Sequence, residues 1–109
     1  MGERLGGPDA AHAAPPSLAT LMMPGDAMAP GICDGDLIEV DLRASRVDRD
    51  GVYVLRDADG RPMVRRVQRE AGGTWLLIPA NRDYPSERVA RGSVPVHGRV
   101  LRTWGLRAV

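Results

Sequence analysis

Few side chains in this sequence could serve as a nucleophile or as a general base. Cys33 is the single cysteine of the chain, and His97 would be the base that a cysteine nucleophile requires. Nothing in the sequence places these two residues together, and a lone cysteine more often packs as a small buried hydrophobe. All fifteen cationic side chains are arginines, which stay protonated at ordinary pH. Catalysis by a lysine amine is therefore excluded.

The composition also argues against a metal centre, a cofactor and nucleic acid. One cysteine rules out an internal disulfide and a multi-cysteine zinc site, so we expect neither a metal nor a cofactor. The formal net charge of +1 is far below the basic excess of nucleic-acid-binding domains. A local basic cluster could contact phosphate, but it lacks interleaved aromatic residues and has acidic neighbours, which favours a solvated strand face. This cluster consists of Arg61, Arg65, Arg66 and Arg69. We expect no direct binding of nucleic acid by this chain.

Two regions are predicted along the chain. Residues 1–18 read as a flexible N-terminal arm, because glycine, proline and small residues bury too little surface to become ordered. Residues 19–109 form one folded domain. The arm lacks the continuous apolar stretch of a signal peptide, and no apolar run approaches the length of a membrane span. These features predict a cytoplasmic protein that does not contact membranes.

The elements that must position any functional side chain are predicted to be short β-strands. Short apolar runs alternate with glycine and Asp-Gly turns, a pattern typical of a small all-β, barrel-like domain. One hairpin is expected around the turn at 57–60. Side chains alternate between the two faces of its second strand, and both faces mix polar and apolar residues, so the pattern leaves open whether Arg65 or Arg66 faces the core. After a first apolar run at 18–23, the predicted strands are 37–42, 52–56, 62–69, 75–78 and 94–104, the last interrupted at Gly98.

Four segments resemble the LexA-like self-cleaving peptidases, a family that includes LexA, phage repressors and UmuD, with signal peptidases as distant relatives. Gly-Asp-Ala-Met-Ala-Pro at 25–30, followed by Asp-Gly-Asp-Leu-Ile at 34–38, is similar to the nucleophile region, Gly-x-Ser-Met-x-Pro and a Gly-Asp turn. The second segment is the strand pair 51–55 and 63–67, which resembles the hairpin bearing the family's lysine. The third, at 79–85, carries the Asn-x-x-Tyr-Pro pattern of the repressor branch. The fourth is His-Gly-Arg-Val at 97–100, which matches the family's last strand. The resemblance runs from about residue 21 to residue 104 and implies a LexA/signal-peptidase-like fold.

The sequence departs from the family at both residues that carry its chemistry. In the family a serine hydroxyl attacks a peptide bond after an unprotonated lysine removes its proton. Ala27 stands at the serine position and has no nucleophilic atom, and Arg65 stands at the lysine position and cannot act as a general base. The resemblance therefore implies a pseudopeptidase rather than an enzyme. Its former active-site groove, expected at Asp26, Ala27, Met28 and Arg65, could hold an extended peptide without cutting it.

Three interpretations of Arg65 follow from this comparison. It is the relic of a lost Ser-Lys dyad, which is the interpretation we favour, or an exposed arginine on a strand. Alternatively, it replaces the lysine structurally and fills the groove through an ion pair with Asp26, Asp36 or Glu39, because a buried unpaired charge is very costly.

The resemblance also implies a role in association. Family members dimerise through this domain, largely along the C-terminal strand, so the expected dimer interface comprises Arg99, Val100, Leu101, Arg102 and Trp104. The expected partners are a second copy of the chain and, through mixed dimers, a full-length LexA-like repressor or another protein.

Two other readings of the whole chain remain. The chain could be an inactivated form or a fragment of a Ser-Lys autopeptidase of the SOS-response or prophage-repressor type. It could also be a barrel-like binding module unrelated to peptidases, in which case Ala27 and Arg65 would lie far apart.

Overall fold

A computed structural model describes residues 17–105, and within this range it contains seven β-strands and no helix. The all-β prediction is confirmed. Residues 1–16 of the predicted arm lie outside the described residues, while Leu18, which ends that predicted arm, is the first residue of a strand. The strands are β1 (Leu18–Met22), β2 (Leu37–Asp41), β3 (Gly51–Arg56), β4 (Pro62–Glu70), β5 (Thr74–Ile78), β6 (Glu87–Ala90) and β7 (Val96–Trp104).

The strands form one antiparallel sheet in the order β1-β2-β7-β3-β4-β5-β6. The predicted hairpin is the β3–β4 pair, in which Val54 lies opposite Val64. Its turn needs a residue at positive φ, which Gly60 supplies at 77°. The last strand in sequence is central in space, because β7 inserts between β2 and β3. The C-terminal part of the chain therefore joins the two halves of the sheet.

Gly98 lies buried within β7, which extends from Val96 to Trp104. The pairing with β3 shifts register beside it, since Val54 lies opposite Gly98 and Leu55 opposite Val96, so the interruption expected from sequence is an irregularity within the strand and not its end. A Cβ atom at this position would collide with the Cγ1 atom of Val40 and lie 2.8 Å from the carbonyl oxygen of Asp41. The glycine is therefore required by the close approach of β2 to β7 and not by a turn.

The sheet buries one hydrophobic cluster on each face. The first cluster is built from the β1–β2 connection and the inner faces of β2, β3 and β4: Met23, Met28, Ile32, Ile38, Val40, Val54 and Val64. The second is covered by the β2–β3 and β6–β7 connections: Val47, Tyr53, Leu55, Val67, Trp75 and Leu77. Among residues 17–105, no helix is long and apolar enough to cross a membrane.

The two clusters decide the direction of the side chains on β4. Val64 belongs to the first cluster, whereas Val67 belongs to the second and Met63 packs against it. Because strand side chains alternate between faces, the side chain of Arg65 leaves β4 on the same face as those of Met63 and Val67, as predicted. Arg65 is half-buried and Arg66 is exposed, which answers the question that the sequence pattern left open.

Candidate functional site

The connection between β1 and β2, residues 23–36, is held in place by backbone hydrogen bonds at its base. Met23 N–H donates to the Asp36 carbonyl at 2.7 Å, and Gly35 N–H donates to the Met23 carbonyl at 3.1 Å. Near the tip, Gly25 N–H donates to the Asp34 carboxylate at 2.9 Å. The segment that carries Ala27 is therefore fixed to the sheet rather than free to move as an open loop.

The connection between β5 and β6, residues 79–86, docks onto this segment through Asn81 and Tyr84. Asn81 N–H donates to the Ala27 carbonyl at 3.0 Å, and its Nδ2 donates to the Asp26 carbonyl at 3.0 Å. The Tyr84 hydroxyl donates to Asp26 Oδ1 at 2.5 Å. Three hydrogen bonds therefore join two loops that are more than fifty residues apart in sequence.

Arg65 reaches the same place from β4. Its guanidinium carbon lies 5.8 Å from the centre of the Tyr84 ring, within the range of a cation–π contact, and its Nη1 donates to the Val64 carbonyl at 2.8 Å. Tyr84 therefore connects Arg65 to Asp26, next to Ala27. Positions 26–27 and position 65, which the resemblance assigns to one site, are thus linked through Tyr84.

The ion pair considered for Arg65 is not formed. Glu39 pairs instead with Arg102, with Nε and Oε1 2.8 Å apart. The Asp36 carboxylate accepts the backbone N–H of Cys33 at 2.9 Å, and Asp26 accepts the Tyr84 hydroxyl. Arg65 is only half-buried, so the Tyr84 ring and the Val64 carbonyl are sufficient partners for its charge. A carboxylate would be needed if the guanidinium were buried in a dry interior.

The groove residues expected from sequence differ in their accessibility. Ala27 and Met28 are each 5% exposed, and Met28 packs in the first hydrophobic cluster. Asp26 and Tyr84 are exposed and Arg65 is half-buried. The accessible groups around the buried Ala27 are therefore a carboxylate, a phenol and a guanidinium. Tyr84 and Asn81 were not among the candidate site residues, although the Asn-x-x-Tyr-Pro pattern contained them.

The Tyr84 phenol is a group at this surface whose pKa is shifted from its ordinary value. The hydrogen bond to Asp26, and then the charge of that carboxylate, raise the pKa of the Tyr84 phenol above its ordinary value. At neutral pH the phenol is protonated, as is the Arg65 guanidinium. Ala27 offers only a methyl group. What remains is a surface for hydrogen bonding and stacking.

The raised pKa of Tyr84 makes a testable prediction about alkaline stability. A phenol whose pKa is raised in the folded state adds stability that is present below the unfolded pKa of about 10 and is lost as pH rises through the folded value. Replacing Asp26→Asn removes the carboxylate that causes the shift. In a spectrophotometric titration, we expect the Tyr84 phenol of this variant to ionise at lower pH. Thermal unfolding above pH 10 should also depend less on pH than in the unsubstituted chain.

Tyr53 serves as the internal control in that experiment. Its pKa is raised mainly by burial, and its hydroxyl donates to the Arg49 carbonyl at 2.9 Å, so Asp26→Asn should leave its titration unchanged. An unchanged titration of both tyrosines in the variant would contradict the bridge between Tyr84 and Asp26.

Two other sets of residues singled out in the sequence do not assemble into a site. Cys33 Sγ donates to the Pro30 carbonyl at 3.6 Å, and no hydrogen bond links it to His97 on β7 within the described residues. The arginine cluster is divided between the faces of the sheet, because Arg65 and Arg69 alternate with Arg66 along β4. No group of three or more histidine, cysteine, aspartate or glutamate side chains in residues 17–105 is placed to hold a metal ion.

The strand expected to form a dimer interface is exposed at its C-terminal end. β3 pairs with β7 only from Val96 to Arg99, whereas β2 pairs with β7 as far as Trp104. Residues 101–104 therefore have a partner strand on their β2 side alone, within the part of the chain that the structure describes. Arg99 differs from them, because it lies between Asp41 and Tyr53 on neighbouring strands.

An apolar row crosses the sheet beside this open edge. Met22, Leu37 and Trp104 lie opposite one another on β1, β2 and β7, so their side chains share one face. Met22 is 63% and Trp104 44% exposed. The Glu39–Arg102 ion pair borders the row. An exposed apolar row with a polar rim is typical of a protein interface.

The sequence pattern of the family described as Peptidase S24-like matches residues 4–101, which is most of the chain. The chain belongs to this family. Its fold agrees with the assignment, since the segments that resemble the nucleophile and lysine regions of LexA-like peptidases are adjacent in space. The recognition made from sequence is confirmed at the level of the family.

Curated relatives of this Peptidase S24-like chain are repressors. LexA repressor 2 of Pseudomonas putida is 42% identical over 65 residues, covering 59% of this chain and 31% of the relative. Repressor protein CI of Enterobacteria phage phi80 is 33% identical over 77 residues, covering 71% and 32%. LexA repressor of Streptomyces coelicolor is 36% identical over 85 residues, covering 77% and 34%. The chain spans about a third of the length of these relatives.

Proposed function

We propose that this chain is a Peptidase S24-like domain that associates with a second copy through residues 101–104 of β7 and does not cleave peptides. The observation that carries the proposal is the open edge of β7 beside the row of Met22, Leu37 and Trp104. Two copies related by a two-fold axis would pair these edges antiparallel, which satisfies the backbone groups that face away from β2. The same step would cover the apolar row on each copy.

Amide hydrogen exchange tests this interface directly. Within residues 101–104, the amides that point away from β2 should exchange quickly in dilute protein and slowly at high concentration, because pairing with a second copy protects them. Amides in the β3–β4 hairpin, such as that of Val64, should show no such dependence. Exchange at 101–104 that is independent of protein concentration would count against the proposed edge pairing.

The absence of cleavage follows, in this proposal, from the residues at positions 27 and 65. Family resemblance assigns the nucleophile to the first position and the base to the second. The alanine has no nucleophilic atom, and the arginine cannot give up its proton at ordinary pH. The surface of Asp26, Tyr84 and Arg65 is then free to hold an extended peptide by hydrogen bonds and stacking.

Restoring the family residues tests this assignment. The double variant Ala27→Ser with Arg65→Lys places the missing hydroxyl and amine in one scaffold, and we expect it to cleave a peptide that the unsubstituted chain leaves intact. Each single variant serves as a matched control and should be inactive, because nucleophile and base act as a unit. Peptide cleavage by the unsubstituted chain, detected by mass spectrometry, would refute the proposal of a non-cleaving domain.

A partner of the repressor class extends the proposal. LexA and CI repressors are among the relatives of this chain, and a shared interface would allow mixed dimers between this chain and a LexA-like repressor. Co-purification of tagged chain with such a repressor from the same genome is the expected result. Recovery of the chain without any repressor would remove mixed dimers from the account and leave self-association standing.

A further inference from the structure

A groove of about 430 Å³ lies next to the surface of Asp26, Tyr84 and Arg65. Met63 contributes to the groove and leaves β4 on the same face as Arg65, two residues away along the strand. Glu87, which begins β6 three residues after Tyr84, contributes to its wall. A peptide held at Tyr84 and Arg65 can therefore extend into this groove.

The groove borders a stretch of β4 that has a partner strand on one side alone. β3 pairs with β4 from Pro62 onwards, whereas β5 pairs with β4 only from Arg66. Within residues 17–105, the stretch 62–65 therefore has an open edge on its β5 side, and Met63 of this stretch lines the groove. An open strand edge is suited to an extended chain, which adds as a further strand and sends alternate side chains to one face.

The floor of the groove is apolar. Its accessible surface comes from Met63, Val89 and Val94, which are half-buried and pack against the second hydrophobic cluster, and from the exposed Pro95. The Pro95 carbonyl accepts a backbone N–H of β3 at 3.0 Å, which fixes the β6–β7 connection against the sheet. An apolar side chain placed on this floor would remove both its own surface and that of the floor from water.

The rim of the groove carries an excess of negative charge. The carboxylates of Asp59 and Glu87 are exposed and form no hydrogen bond or ion pair in the described part of the chain. Asp57 accepts two backbone N–H groups within the β3–β4 turn, and Arg56 donates to a carbonyl of the same turn at 2.8 Å. Three carboxylates therefore face one guanidinium around an apolar floor, which favours a partner with a positive charge beside an apolar group.

We propose that the groove holds an extended peptide in which a lysine or arginine lies two residues from an apolar residue. Side chains two residues apart in an extended chain point to the same face, so both can meet the groove. The apolar side chain would contact Met63 and Val89, and the cation would face Asp59 and Glu87. This inference rests on the peptide-holding surface of the proposed function and adds the class of peptide. It does not depend on self-association.

A nuclear magnetic resonance titration with three end-capped pentapeptides tests the proposal. The first peptide is Ala-Lys-Ala-Leu-Ala, and the others carry glutamine or glutamate in place of lysine. The lysine peptide should shift the amide signal of Val89 in a saturable manner and leave the indole signal of Trp104, which does not line the groove, in place. We expect the glutamine peptide to bind about threefold and the glutamate peptide about tenfold more weakly. Salt at about 1 M, where the Debye length is about 3 Å, should remove most of this difference.

Substitutions at the rim and in the peptide separate the two kinds of recognition. Glu87→Gln and Asp59→Asn should each reduce the preference for lysine over glutamate about threefold, and both change exposed side chains on which the fold does not depend. Asp48→Asn removes an exposed carboxylate outside the groove and should leave the preference unchanged. Alanine in place of the peptide's leucine should weaken all three peptides about fivefold, because the floor recognises apolar surface and not charge.

The outcomes distinguish this inference from the function on which it rests. Equal affinity of the three peptides, or an unchanged preference in the rim variants, would overturn the charge selectivity while leaving a surface that holds peptides. Saturable shifts at Tyr84 without any at Val89 would overturn the groove and keep that surface. If neither signal moved with any peptide, the peptide-holding part of the proposed function would fall together with the inference.

Discussion

Replacing Gly98→Ala is expected to lower the free energy of unfolding by about 3 kcal/mol, although it adds a single methyl group. The new Cβ atom would collide with Val40 Cγ1 and lie 2.8 Å from the Asp41 carbonyl oxygen. The second contact is with backbone, so it cannot be relieved by a rotamer change. The two strands must move apart at the centre of the sheet, where β7 joins its halves.

Gly51→Ala is the matched control for this substitution. Gly51 also lies in a strand, but a Cβ atom there would meet Tyr53 Cε1 at 3.5 Å, an ordinary van der Waals contact. Denaturant unfolding should therefore show a large loss for Gly98→Ala and a small change for Gly51→Ala. Adding Val40→Ala to Gly98→Ala should not restore stability, because the contact with Asp41 remains. Equal stability of the two glycine variants would contradict the close packing of β2 on β7.

Replacing Trp104→Ala is expected to weaken self-association about 30-fold or more. Tryptophans that are buried at the centre of an interface commonly contribute 2 kcal/mol or more to binding, and 1.4 kcal/mol corresponds to a tenfold change in Kd. Trp104 lies at the end of the open edge and in line with Met22 and Leu37. Because it is 44% exposed in the single chain, its removal should leave the fold intact.

Leu42→Ala provides the control for a loss of apolar surface. Leu42 is 36% exposed and lies just after β2, at the end of the strand opposite Leu37. Analytical ultracentrifugation should give the same dissociation constant for this variant as for the unsubstituted chain. A Trp104→Ala variant that associates as tightly as the unsubstituted chain would exclude the row of Met22, Leu37 and Trp104 from the interface.

Much of the fold could be predicted because its signals are local. The Asp-Gly turn at 57–60 and the alternating residues on each side of it indicated the β3–β4 hairpin, and the structure has this hairpin. β6 was not predicted, since Glu-Arg-Val-Ala is a short segment with a single β-branched residue and carries little strand signal of its own. The irregularity at Gly98 was predicted, but the close approach of β2 to this glycine was not, because sequence alone does not show which backbone approaches a glycine.

The candidate site could be predicted only in part. Positions 26–27 and 65 were brought together by resemblance to a family, and the structure links them through Tyr84. Neither the role of Tyr84 nor that of Asn81 could be derived from spacing, since both contact residues more than fifty positions away. The expectation of a carboxylate partner for Arg65 assumed that its charge is fully buried. Partial exposure removes that requirement, which is why a ring and a carbonyl suffice.

Sedimentation equilibrium of the unsubstituted chain over a wide concentration range tests the central claim most directly. The proposed pairing of residues 101–104 predicts a monomer–dimer equilibrium with a dimer at micromolar concentration, and no larger species, because a two-fold contact closes on itself. A monomer at every concentration would contradict self-association through β7. The surface of Asp26, Tyr84 and Arg65 would then be the part of the molecule in which to seek its function.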